Sequence, residues 1–412
     1  MQKLHIEIMS HRPAVRLDAP VTLDVLLKIT PPAAELNAPR PKLNLGLVLD
    51  RSGSMAAHNK INYARDAAVY AVQQLLAEDR VSVTIFDDKV QTLVPNTLAG
   101  NKAHIVDVIR KIHPGSSTAL HRGWIEGAQQ VGKHLVEEGL NRVLLLSDGL
   151  ANVGETNPDV IASDVHRFSK EGVSTTTMGL GDHYNEDLLE AMASSGDGNY
   201  YYIETPQQLA DIFQTELQGL MAAFGNSVRL ELLPQEGVVV ADVLNEFEKS
   251  EDGQLKLPNL IAGLPVLVVL RLNVPPMQSA GNLCRFRLSW ISPQTSQKEE
   301  TTVSLQLPTV TASAWDTLAA NVEVQEQVAL MLIARLKKEA TRQLEQGDPE
   351  VAKQMMQEAR QVQSQAPQTP EMVREAAALD EVDAFMEQGD WMKWRKMNKY
   401  YSHQRRQSKP YK

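Results

Sequence analysis

Two stretches, LNLGLVL at 43–49 and RVLLLS at 142–147, run almost without a break in apolar residues, and an acid closes each, Asp50 and Asp148. A strand with one wet face alternates apolar and polar residues. An unbroken apolar run at strand length reads instead as a strand covered on both faces, which is the situation inside a parallel sheet flanked by helices. Between and after these runs the pattern alternates. Helical periodicity is expected near 61–76, 102–111, 120–137, 158–170, 185–193 and 206–223, and strands at RVSVTIF, VSTTTMGLG and NYYYI. The alternation predicts a doubly wound, mostly parallel α/β sheet over residues 42–223.

The flanks follow a different rhythm. LHIEIM and VTLDVLLKI, within residues 1–35, alternate in the manner of half-buried strands. TPPAAELNAPRPK then marks a boundary, because its prolines exclude helix. Residues 226–308 hold six short β-type runs with no helix between them, which predicts an antiparallel β-sandwich. The strands before 31 and after 225 both need partners, so the simplest architecture inserts the α/β domain into one sandwich. Residues 313–390 read as a helical region, a small bundle or hairpin, and 391–412 as a basic, aromatic tail.

A chain of 412 residues fits two or three domains. Its net charge of −10 argues against general nucleic-acid binding. Cys284, the single cysteine, rules out an internal disulfide and any cysteine-built metal site. The N-terminus has no apolar signal core, and no apolar run reaches the roughly 18 residues of a membrane span. These features predict a soluble, cytoplasmic protein.

The chemistry concentrates in VLDRSGSM at 48–55. Asp50, Ser52 and Ser54 alternate, so they can face one way, and Gly53 permits the bend. In an open α/β sheet ligands bind beyond the carboxyl ends of the strands. Asp50 and Asp148 both end strands, and Thr118 lies in a further loop, HPGSSTAL, before the helix near 120. Two carboxylates and three hydroxyls form an all-oxygen set. Such a set suits a hard cation, Mg²⁺ first, with Mn²⁺ or Ca²⁺ possible. Neutral hydroxyls leave the ion only partly neutralised and therefore attractive to an incoming carboxylate.

At this point the sequence resembles the von Willebrand factor A-type domains (VWA domains), over roughly 42–223. Their metal-ion-dependent adhesion site combines an Asp-x-Ser-x-Ser loop, a Thr from a second loop and an Asp from a third. Asp50, Ser52, Ser54, Thr118 and Asp148 fill all five positions in order. KINYARDAA, GSSTALHRGW and GLGDHYNEDLLEAMA are also similar to typical segments of the family, and LCRFRLSWISP resembles the sandwich that accompanies it in bacterial proteins. The resemblance implies binding rather than catalysis: the hydroxyls touch the metal, the two acids act through water or hydrogen bonds, and a partner's Glu or Asp carboxylate completes the coordination.

Other readings compete. Ser, Asp and Thr also cap helices after strands. A scaffold protein with a merely structural metal, recruiting partners through the helical region and the tail, is the main alternative. An aspartyl phosphotransferase or phosphatase is a further one, but the acid expected two residues after the nucleophile is Ser52 here, and no strand-end lysine balances a phosphate. Asp87 and Asp88, in FDDKV, read as hairpin-turn residues rather than ligands. The tail carries eight basic residues and no acid from Trp391 onward. It fits either a docked, Trp-containing helix or a site for an anionic surface or acidic partner.

Overall fold

A computed structural model describes residues 4–33, 40–137, 139–235, 237–250 and 252–408. Residues 34–39 of the Pro-rich connection lie outside this set. The chain divides into two compact units. One comprises Met1–Ala34, Phe224–Ile291 and Lys298–Lys412; the other comprises Glu35–Ala223 and Ser292–Gln297.

The first unit begins with strands β1 (His5–Ser10), β2 (Val15–Arg16) and β3 (Val21–Thr30). The chain then enters the second unit, which runs β4 (Lys42–Asp50), α1 (Lys60–Gln74), β5 (Arg80–Phe86), β6 (Val90–Leu98), α2 (Lys102–Arg110), α3 (Leu120–Gly132), β7 (Gly139–Ser147), α4 (Pro158–Lys170), β8 (Ser174–Leu180), α5 (Glu186–Ser195), β9 (Tyr200–Ile203) and α6 (Leu209–Met221). Its sheet has the order β6-β5-β4-β7-β8-β9. Every neighbouring pair is parallel except β5–β6, so the sheet is mixed. The exception follows from chain length: the turn at 87–89 is far too short for the crossover that parallel strands require.

The two apolar runs became the central strands. From β4 the chain winds outward through β5 and β6, then returns to β7 on the other side of β4, so the order reverses between β4 and β7. Ligand crevices open at such a reversal. Helix α3 lies against these strands at glycine distance. A Cβ on Gly127 would fall 2.1 Å from Val48 Cγ2, and one on Gly46 would fall 2.7 Å from Val131 Cγ2.

The remainder of the first unit comprises β10 (Ala223–Pro234), β11 (Val239–Val243), β12 (Leu255–Lys256), β13 (Leu260–Ile261), β14 (Val266–Val274), β15 (Gly281–Ile291), β16 (Lys298–Leu307), β17 (Thr309–Val310), and helices α7 (Ala312–Thr317), α8 (Val322–Glu345), α9 (Pro349–Gln365), α10 (Pro370–Glu387) and α11 (Trp391–Arg406). Strand β3 pairs with β14, from Val21↔Val274 to Ile29↔Val266, so the strands before the α/β unit do find partners after it. The sheets β1-β3-β14-β11 and β12-β10-β15-β16 contribute to one apolar core, with Val25 and Leu27 from the first and Leu230 and Phe286 from the second. Cys284 is buried in that core, and burial pushes its thiol up to about 11. Helix α8 packs on β3 and β14. Arg335 fixes it there with two hydrogen bonds to Asp242, at 2.6 and 2.8 Å, and one to the Leu244 carbonyl at 2.8 Å.

The tail differs from the open basic surface that its composition allows. Residues 391–406 are the docked helix α11, in which Trp394 and Lys396 are fully buried. Arg405 pairs with Glu371 and Glu375, and Arg406 with Glu246. These charges are spent on internal pairs. Lys409, Tyr411 and Lys412 lie outside the described residues. Among the described residues no helix is long and apolar enough to cross a membrane.

Candidate metal centre

The parallel register of β4 and β7 aligns Leu49 with Leu146. The next step along both strands brings Asp50 beside Ser147, and Ser147 Oγ donates to Asp50 Oδ2 at 2.6 Å. The other oxygen, Oδ1, accepts from the Ser52 amide at 2.7 Å, which sets the first bend of the loop. Asp50 is fully buried. Burial pushes its carboxyl up to about 6, the nearby Asp148 charge adds to that rise, and the hydrogen bonds from Ser147 and Ser52 oppose it.

The three hydroxyls gather in front of this acid. Ser52 Oγ and Ser54 Oγ are 3.0 Å apart, and Ser54 Oγ donates to Asp148 Oδ1 at 2.6 Å. A Cβ on Gly149 would lie 3.2 Å from Thr118 Oγ1, 3.7 Å from Ser54 Oγ and 3.8 Å from Ser52 Oγ. That one point therefore faces the hydroxyls of three residues from two loops, and the glycine keeps the space beside it open. Thr118 is 4% exposed, and its hydroxyl faces the space beside Gly149. Its backbone is held by Asn152, whose Oδ1 accepts from the Thr118 amide at 2.9 Å and whose amide donates to the Thr118 carbonyl at 3.2 Å.

A cradle of hydroxyl oxygens with a buried carboxylate on either side fits a small hard cation. No group of three or more His, Cys, Asp or Glu residues suited to a metal occurs among the described residues, so the candidate rests on the hydroxyls. All five residues singled out in the sequence, Asp50, Ser52, Ser54, Thr118 and Asp148, come to this one place.

Several residues that shape it escaped sequence reasoning. Lys60, at the start of α1, puts Nζ 2.7 Å from Asp148 Oδ2. Ser147 looked like one more strand residue, and Asn152 like a loop residue. Asp87 and Asp88 are turn residues with a further task. Asp87 holds the Arg51 guanidinium at 3.0 Å, and Asp88 accepts from Ser116 Oγ at 2.5 Å. With the Gly53 amide donating to the Ser116 carbonyl at 2.7 Å, they brace the first two loops against each other.

The geometry disfavours phosphotransfer on Asp50. The expected balancing lysine does exist, supplied by a helix rather than a strand end, but it serves Asp148. Asp50 is buried with each oxygen already accepting a hydrogen bond, so it presents no nucleophile to solvent.

A pH dependence follows from Asp50 in metal-free protein. Its carboxyl titrates near 6 rather than at its ordinary 3.8, so its contribution to stability is fully present below about pH 4 and is lost as pH rises through about 6. The loss is on the order of 3 kcal/mol. Melting curves in EDTA from about pH 4 to 7 should show this decline, levelling off above about 6, in the wild type and not in Asp50→Asn. An ion that favours the carboxylate reverses the trend, so stabilisation by Mg²⁺ should grow over the same range.

Comparison with known proteins bears on the α/β unit that carries these residues. The family model for the von Willebrand factor type A domain matches residues 44–215. An uncharacterized protein of Synechocystis, sll0103, is 27% identical over 333 residues, covering 78% of each chain. The uncharacterized Escherichia coli protein YfbK is 28% identical over 193 residues, 47% of this chain and 34% of YfbK, so this chain spans about a third of that relative's length. Among solved structures, a von Willebrand factor type A protein from Catenulispora acidiphila superposes with a TM-score of 0.72 at 16% identity, over 92% of this chain and 90% of its own, a likeness of fold. Residues 44–215, which carry both central strands and the convergent hydroxyls, are a von Willebrand factor type A domain.

Proposed function

We propose that this chain is a divalent-cation-dependent protein-interaction module. Ser52, Ser54 and Thr118 would hold the ion directly, while Asp50 and Asp148 act through water or hydrogen bonds. The bound ion would supply Lewis acidity toward a Glu or Asp carboxylate of a partner protein. Mg²⁺ is the proposed ion and the cytoplasm the proposed location. We propose further that the two antiparallel sheets form a β-sandwich into which the A-type domain is inserted, a reading supported by the β3–β14 pairing across the α/β unit.

The observation that carries the proposal is the convergence of three hydroxyls beside Gly149, from Ser52, Ser54 and the nearly buried Thr118. A helix-capping role does not account for it, since the hydroxyls come from separate loops and α1 has no side-chain cap. The test is capture of partners from lysate on immobilised full-length chain in Mg²⁺ and in EDTA. Proteins retained only with Mg²⁺, and released by excess glutamate-rich peptide, are the expected result. An identical set of captured proteins in both buffers would reject cation-dependent binding.

A further inference from the structure

Lys60 forms a buried ion pair at the site that lies outside the five-residue motif. It is 7% exposed, and its Nζ sits 2.7 Å from Asp148 Oδ2, while Asp148 Oδ1 takes the Ser54 hydroxyl at 2.6 Å. Gly181 lies beside the ammonium: a Cβ there would meet Nζ at 3.4 Å, an ordinary contact, and its φ of +75° is one that L side chains rarely adopt. The acid in front of the hydroxyls is therefore already half neutralised by the protein itself.

We infer that Lys60 is a built-in counter-charge that sets the electrostatic balance of the centre, weakening its hold on the metal and leaving the loaded site more attractive to a partner's carboxylate. The inference rests on the metal reading given above. Two ionised carboxylates alone would cancel a divalent ion, and the loaded site would be neutral. With the ammonium present it carries one net positive charge. In a buried, poorly screened place a nearby like charge acts strongly against a cation and for an anion. The lysine thus trades affinity for the ion against affinity for the ligand. Its Asp148 contact would remain in the loaded state, because Oδ2 is turned to Nζ and Oδ1 to the hydroxyl cluster.

A purely structural lysine, pinning α1 to the loop after β7, would behave differently. The distinguishing experiment titrates Mn²⁺ into the full chain without partner and follows free Mn²⁺ by electron paramagnetic resonance. Wild type, Lys60→Met and Lys60→Gln are compared, with circular dichroism and melting curves as controls for folding. Met replaces the stem without the charge, and Gln keeps a hydrogen bond to Asp148. Both variants should bind Mn²⁺ at least roughly tenfold more tightly, and the ion should raise their melting temperatures more than that of wild type. Equal or weaker binding by folded variants, with the wild type binding Mn²⁺, overturns the role of Lys60 alone. No Mn²⁺ binding by any of the three overturns the metal reading and this inference with it.

Discussion

On the proposed function, Asp148→Ala is expected to abolish cation-dependent partner capture and also to lower the melting temperature in EDTA, whereas Thr118→Val is expected to abolish capture and leave that temperature nearly unchanged. The contrast comes from what each side chain holds. Asp148 is fully buried and anchors both the Lys60 ammonium and the Ser54 hydroxyl. Alanine there leaves a charge 7% exposed without its carboxylate, a loss of about 3–5 kcal/mol. Thr118 is tied into the fold through its backbone, by Asn152, and valine preserves that tie. The melting temperature of Asp148→Ala therefore cannot separate an interaction site from a structural metal, because it falls in either case. Thr118→Val can. If the metal were only a stabiliser for a scaffold, losing one hydroxyl would reduce the Mg²⁺-induced rise in melting temperature and leave capture intact. Differential scanning fluorimetry with and without Mg²⁺, beside the capture assay, reads both quantities.

The site was legible in part because its chemistry is local in sequence. Asp50, Ser52 and Ser54 announce themselves by alternation at the end of an apolar run, and Asp148 by ending the other. Thr118 joined them from the loop before the helix near 120, although nothing in HPGSSTAL marks which of its hydroxyls turns inward. Lys60 was invisible for a physical reason. A lysine in the first turn of a helix ordinarily extends into water, and its partner here, Asp148, is 88 residues away in sequence. Ser147 was hidden likewise: its neighbour is fixed by the β4–β7 register, and no single strand encodes that.

The C-terminal stretch shows the same limit. Its charges look unbalanced along the chain because Glu246, Glu371 and Glu375, which balance Arg405 and Arg406, are supplied by other elements. Local charge counting sees a basic tail where three-dimensional pairing makes a packed helix. By contrast, the central strands were plain from their pattern, because burial on both faces leaves an almost unbroken apolar run, with Asn44 and Arg142 among the few buried polar exceptions.

That pairing leads to the second large effect. Lys337 on α8 and Glu375 on α10 are both fully buried, with Nζ 2.7 Å from Oε1, and Arg405 on α11 reaches the other Glu375 oxygen at 3.1 Å. Burial lowers the Lys337 pKa, and the Glu375 carboxylate opposes that fall. Glu375→Ala removes a carboxylate shared by cations from two helices, so α8, α10 and α11 lose a common tie while the Lys337 ammonium stays in the interior and Arg405 keeps Glu371. The expected destabilisation is about 3–5 kcal/mol, read from urea denaturation together with hydrogen exchange on the three helices. Charge, rather than lost packing, is the cause. The double variant Lys337→Met/Glu375→Ala should therefore recover a large part of the loss, whereas additive destabilisation would show that the carboxylate mattered chiefly for its shape. Because α8 packs on β3 and β14, loosening should extend to hydrogen exchange in those strands.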